Sequence, residues 1–69
     1  CKDLSVGSKG NLVQLIQERL KGLGLYDGEN NGIYGIKTED AVRKFQLQNN
    51  ISVNGVISFR EYLLLGLLE

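Results

Sequence analysis

Residues 27–38 read DGENNGIYGIKT, and the fold depends on what this stretch is. It holds three glycines, two asparagines and a Lys37-Thr38 pair. A phosphate loop here would imply an α/β sheet, and a calcium loop would imply paired EF-hand helices. A tight connection aiming the helix behind it would imply a small all-α domain. The phosphate reading fails on spacing, because a P-loop places lysine directly after its last glycine. Ile36 stands between Gly35 and Lys37, and no buried strand pattern precedes the loop.

The calcium reading is the stronger rival. An EF-hand loop wants oxygen ligands at its first, third and fifth positions, glycine at the sixth and a bidentate glutamate at the twelfth. Counted from Asp27, the chain supplies Asp27, Glu29, Asn31 and Gly32, but Thr38 where the glutamate belongs. Counted from Asn50, it supplies Asn50, Ser52, Asn54, Gly55 and then Glu61 in the right place, with no aspartate. Each loop fails differently, and a loop offering one carboxylate binds calcium poorly. A dockerin-like or EF-hand-like interaction module is the alternative this leaves open.

Helical patterns flank the loop. Leu12, Leu15, Ile16, Leu20 and Leu23, with Val13 beside them, have the spacing of one buried stripe. They predict a first helix over Asn11–Leu23, with Gly24 in the left-handed position after its last turn. Ala41, Val42 and Phe45 mark a second helix, stopped by Asn49-Asn50. A third runs from Phe59 to about Leu68, where Ser58 and Glu61 form an S-x-x-E capping box. Residues 1–10 read as a polar lead-in, and Ile51 and Val53 as a short extended connection. Residues 31–38, NGIYGIKT, align without gaps on residues 54–61, NGVISFRE, so the chain repeats a loop-to-helix unit. The alignment moves the start of the second helix to Ile36. The expected fold is all-α, a small three-helix orthogonal bundle with a loop-helix pseudo-repeat. It forms a single domain over 1–69 with its core at about 4–68.

Composition narrows function. The chain has 69 residues, eight basic and eight acidic, with no histidine and one cysteine. Balanced, interspersed charge gives no basic face, so neither nucleic acid nor a membrane is expected as partner. With no histidine, one terminal cysteine and no clustered carboxylates, a catalytic zinc site or a Ser-His-Asp triad cannot be built within this chain, and no catalytic or metal-binding residue and no cofactor is expected. Cys1 reads as the end of an excised piece of a longer protein, with a lipidated mature N-terminus as the alternative.

Taken in order, Leu20, Leu23-Gly24, Tyr26, Gly28, Gly32-Ile33-Tyr34-Gly35, Thr38, Ala41-Val42 and Phe45-Gln46 resemble the peptidoglycan-binding domain found beside bacterial and phage cell-wall hydrolases. The likeness covers about residues 4–65. It implies a three-helix, non-catalytic wall-binding module attached to a catalytic domain, and an extracellular or cell-wall location, or delivery within a phage lysin. This chain has Asn31-Gly32 and Asn54-Gly55 where the family usually has Asp-Gly, and Ser58, Glu61 and Tyr62 at its glycine, threonine and tryptophan positions.

Peptidoglycan offers sugar faces, acetamido groups, hydroxyls and stem-peptide carboxylates. Tyr26, Asn30, Asn31, Tyr34, Lys37 and Arg60 supply aromatic, amide and cationic groups near the two helix starts, and are the candidate ligand contacts. Open N–H groups at the start of the second helix suit a stem carboxylate. Each candidate also has a structural reading. Tyr34 reads as a half-buried wedge with its hydroxyl outward, and Tyr26 as a closure of the core. Asn31 reads as a turn former, and Lys37 and Arg60 as surface charges. Thr38 is expected to bond its own helical turn, Gln17 and Gln46 to satisfy backbone groups, and Phe45 and Phe59 to be core. The leucines from Leu63 to Leu68 suggest a face that packs on a partner domain.

Overall fold

The computed structural model describes residues 3–67. It has three helices, α1 (Asn11–Gly22), α2 (Ile36–Gln48) and α3 (Phe59–Leu64). All three end in the same way. A left-handed residue follows each helix (Gly24, Asn50 and Gly66, at φ 78, 57 and 76°). The next residue's N–H then reaches back to the third-last helical carbonyl: Leu25 to Leu20, Ile51 to Gln46 and Leu67 to Tyr62, at 3.0–3.1 Å. These are Schellman closures, which consume orphan carbonyls and turn the chain sharply.

The core is built from Val13, Ile16 and Leu20 of α1, Ala41, Val42 and Phe45 of α2, and Tyr62 of α3. Leu4, Tyr26, Tyr34, Ile57 and Leu65 join it from the connections. The first helix buries Val13, Ile16, Gln17 and Leu20, an i, i+3, i+4, i+7 stripe in which one member is polar. Leu12, Leu15 and Leu23, expected on that stripe, are 38%, 45% and 57% exposed. The buried face is therefore rotated from the one the leucines mark, because Gln17 occupies an interior position. Two further expectations are corrected. Phe59 is 63% exposed rather than core. The last helix stops at Leu64, because Gly66 takes the left-handed angle that closes it; Leu68 lies outside the described residues.

The lead-in does more than precede α1. Leu4 and Ile57 exchange backbone hydrogen bonds of 2.8 Å in both directions. Gly7 N–H donates to Tyr34, Tyr34 N–H to Ser8, and Gly10 N–H to Gly32, at 2.9–3.0 Å. The segment is thus a strap laid antiparallel across both repeated turns. It satisfies backbone groups that would otherwise lack partners.

Candidate functional site

Each repeated loop is organised by one buried glutamine from the preceding helix. Gln17 Nε2 donates to Ile33 O at 2.9 Å, Thr38 Oγ1 at 3.0 Å and Asn31 Oδ1 at 3.3 Å, while its Oε1 accepts Gly32 N–H at 3.0 Å. Gln46 repeats the pattern one helix later. Its Nε2 donates to Asn54 Oδ1 at 2.8 Å, Val56 O at 3.0 Å and Glu61 Oε2 at 3.1 Å, and its Oε1 accepts the N–H groups of Asn54 and Gly55 at 3.0 Å. In both loops the asparagine Oδ1 also accepts the N–H two residues on, from Ile33 or Val56, at 3.0 Å. This is the Asx-turn geometry expected of a turn former. Gln17 and Gln46 do satisfy backbone groups, as expected. Thr38 differs from expectation, since its hydroxyl accepts from Gln17.

In front of these clamps lie two clefts at equivalent places. The first holds about 540 Å³ beside the start of α2, between Lys21 of α1, Tyr26 to Glu29, and Asn31 to Thr38. Gly35 gives α2 no side-chain cap, so no capping side chain covers the first N–H groups of the helix. Lys21 and Lys37 stand in its wall with Asp27 and Glu29. The second holds about 470 Å³ beside Phe59 and Arg60, and its wall includes Asn54, Ser58 and Glu61. Asn31, Gly35, Ile36, Lys37 and Thr38 of the first cleft correspond in the repeat to Asn54, Ser58, Phe59, Arg60 and Glu61 of the second.

The structure gathers Tyr26, Asn31 and Lys37 into the first cleft and places Arg60 in the second. Tyr26 is 7% exposed, a core residue whose hydroxyl donates to Glu29 O at 2.6 Å and which forms part of the wall. Asn31 Oδ1 is engaged in the turn, so its NH2 is what it can offer a ligand. Asn30 sits half-buried behind the loop; its carbonyl accepts from Gln14, and its Oδ1 has no partner. Tyr34 is 1% exposed, and its hydroxyl donates inward to Gly55 O at 2.6 Å. The expected outward hydroxyl is thus corrected, and the ring has no face to offer a ligand. Burial, then the Glu39 and Glu61 carboxylates, raise its phenol well above the usual range, against a smaller opposing effect of Arg43. Tyr34 is instead the tie between the two loops.

Glu61, the twelfth-position glutamate of the second loop, is engaged in the capping box and the glutamine clamp. Burial would raise its carboxyl, but hydrogen bonds from the Ser58 hydroxyl and N–H, the Gln46 amide and its own backbone N–H hold it below the ordinary glutamate value. Its Oε1 takes both Ser58 donors, at 2.6 and 2.9 Å, and its Oε2 takes Gln46. The oxygen atoms that would ligate an ion are already filled by N–H and O–H donors. Asn31 and Asn54 are used likewise. The calcium-loop alternative therefore has no support in the geometry. Among the described residues no group of three acidic, histidine or cysteine side chains could hold a metal ion, and no helix is long and apolar enough to cross a membrane.

Comparison with known proteins agrees with this architecture. Residues 9–60 match the sequence profile of a family described as putative peptidoglycan binding domain. N-acetylmuramoyl-L-alanine amidase CwlL of Bacillus licheniformis is 44% identical over 54 residues, 70% of this chain and 15% of the amidase. The chain therefore spans only a small part of that curated relative. The crystal structure of the SleB N-terminal domain superposes with a TM-score of 0.91 at 31% identity, covering 94% of this chain and 89% of that one. A fused Zn-dependent amidase/peptidase/peptidoglycan-binding domain-containing protein from Clostridium acetobutylicum gives a TM-score of 0.88 at 38% identity, over 93% of this chain and 28% of its own. With its repeated clamps, its paired clefts and a profile match across most of its length, this chain belongs to the peptidoglycan-binding domain family.

Proposed function

We propose that this chain is the non-catalytic wall-binding part of a cell-wall hydrolase, and that the cleft at the start of α2 takes a stem-peptide carboxylate of peptidoglycan. The observation that carries the site is the uncapped start of α2 opening into a cleft beside Lys21 and Lys37. Helix N–H groups and two ammonium groups favour an anion. The Asn31 NH2 can serve an acetamido or peptide carbonyl, and Asp27 and Glu29 can meet a stem amine. The match to one amidase, and the likeness to a protein that joins amidase/peptidase and peptidoglycan-binding parts, support an attached catalytic domain. Holding that enzyme on an insoluble polymer raises its effective concentration there, even when one site binds weakly. Action at the cell wall follows from the same reading.

The test is sedimentation of the domain with purified, protein-free sacculi, in calcium and in chelator. Binding in both buffers is expected. Lys37→Ala, with unchanged helicity, is expected to weaken binding about threefold to tenfold, the scale of one charge-assisted contact at a partly exposed site. Failure of the unmodified domain to sediment in either buffer would overturn the reading.

A further inference from the structure

Four of the five aromatic side chains are interior: Tyr26, Tyr34, Phe45 and Tyr62 are 7%, 1%, 4% and 2% exposed. Phe59 is the exception, at 63%. A single exposed apolar side chain is ordinary by itself. This one forms a wall of the second cleft, with Arg60, Asn54 and Ser52 around the same space. The clamp has already used Asn54 Oδ1, which leaves its NH2 as a donor. The capping box of Ser58 and Glu61 takes part of the backbone at this helix start, so side chains carry more of the recognition than in the first cleft. The two clefts thus share a scaffold and differ in chemistry. The first offers open N–H groups, two ammoniums and two carboxylates. The second offers an aromatic ring bordered by the Arg60 guanidinium, the Asp3 carboxylate, an amide and a hydroxyl.

We propose that this second cleft is a distinct carbohydrate site, in which the Phe59 ring stacks on the C–H face of an N-acetylated amino sugar. Arg60 and the Asn54 NH2 donate to its acetamido carbonyl and hydroxyl oxygens. An aromatic ring carries negative charge on its face, which suits the weakly positive C–H groups of a pyranose. A nucleobase would also stack, but Asp3 stands with Arg60 in the wall of this cleft, and interspersed charge gives no basic face for the phosphates that come with it. With the first cleft taking peptide and the second taking glycan, the domain would read the two components of the wall separately. This assignment rests on the wall-binding reading above.

The chain contains no tryptophan, so Phe59→Trp installs a single tryptophan, excited selectively over the three tyrosines, at the site. The probe is the peptide-free disaccharide of N-acetylglucosamine and N-acetylmuramic acid, titrated against a stem peptide without sugar. A blue shift of emission with the disaccharide and none with the peptide is expected. Phe59→Ala should weaken sedimentation with sacculi about threefold to tenfold, the scale of one lost aromatic contact. It should leave the melting temperature unchanged, because the side chain is mostly in water. An unmoved tryptophan spectrum, or full binding of sacculi by Phe59→Ala, would overturn the glycan site even if the unmodified domain sediments normally. Conversely, loss of sedimentation by the unmodified domain condemns the wall-binding reading, while the disaccharide titration still reports on this cleft directly.

Discussion

At the scale of single residues, two buried amides govern the molecule. A glutamine in a helix's interior stripe is costly unless every polar atom finds a partner. Gln17 meets that condition by bonding a turn asparagine, a backbone carbonyl, a backbone N–H and the Thr38 hydroxyl at once. Leucine at this position would match the apolar stripe and fit the space, yet it would strand Gly32 N–H and the oxygens of Ile33 and Thr38. Each such group costs about 1–3 kcal/mol when left unsatisfied. Gln17→Leu is therefore expected to lose about 3 kcal/mol or more in urea unfolding, a large part of the roughly 3–10 kcal/mol available to a chain this short. A stability equal to the unmodified protein would show that the amide is dispensable. The same residue explains why the sequence misplaces the buried face of α1. Hydrophobic periodicity counts Leu12, Leu15 and Leu23 and treats Gln17 as solvent-facing, and nothing in residue type announces that its partners lie 14 to 21 positions further on.

At the scale of elements, the helix boundaries were largely legible and the tertiary roles less so. Gly24 and Asn49-Asn50 mark the ends of α1 and α2 because few residues tolerate the left-handed angle that a Schellman closure needs. The gapless repeat places the start of α2 at Ile36, and the structure agrees. Residue type makes the third helix too long, because its leucines continue past Gly66 and apolar content outweighs the stop signal. Phe59 departs from expectation for a related reason. Residue type suggests burial, but the first position of α3 points it into the cleft rather than the core. The three closures also differ in quality, since Asn50 carries a side chain at φ 57° where Gly24 and Gly66 do not. Asparagine tolerates that angle at a cost glycine avoids. Asn50→Gly is expected to stabilise the domain by about 0.5 kcal/mol, after the greater entropy of glycine in the unfolded chain is subtracted. Gly24→Ala should cost about 1 kcal/mol in the same denaturant series. A destabilised Asn50→Gly would mean that the asparagine contributes something beyond its backbone angle.

At the scale of the whole molecule, the two clefts depend on connections rather than on helix packing alone. The strap pairs with Tyr34 through Gly7 and Ser8 and with Ile57 through Leu4, and Tyr34 itself ties the first loop to Gly55 of the second. A polar lead-in gives no sequence signal for this role, because backbone pairing is indifferent to side-chain type. Its one apolar anchor, Leu4, is 7% exposed and sits against the core. Deleting residues 1–8 removes that anchor and four of the strap's backbone bonds, and leaves the N–H and C=O groups of Ile57 and Tyr34 to water. The loss of a buried leucine alone is worth about 2–4 kcal/mol. For a domain of this size each kcal/mol lowers the melting temperature by about 4–8 °C. The truncated domain is therefore expected to melt at least about 10 °C lower, whereas Val6→Ala, at a position 48% exposed, should change it little. Amide hydrogen exchange gives the sharper discrimination. If the strap holds both loops as one unit, Leu4→Ala, which loosens only the end of the strap paired with Ile57, should accelerate exchange at Tyr34 and Ile57 together, and sugar-dependent and peptide-dependent binding should weaken together. Acceleration confined to one of the two amides would mean that the loops are independently stable and that the tie between the clefts is incidental.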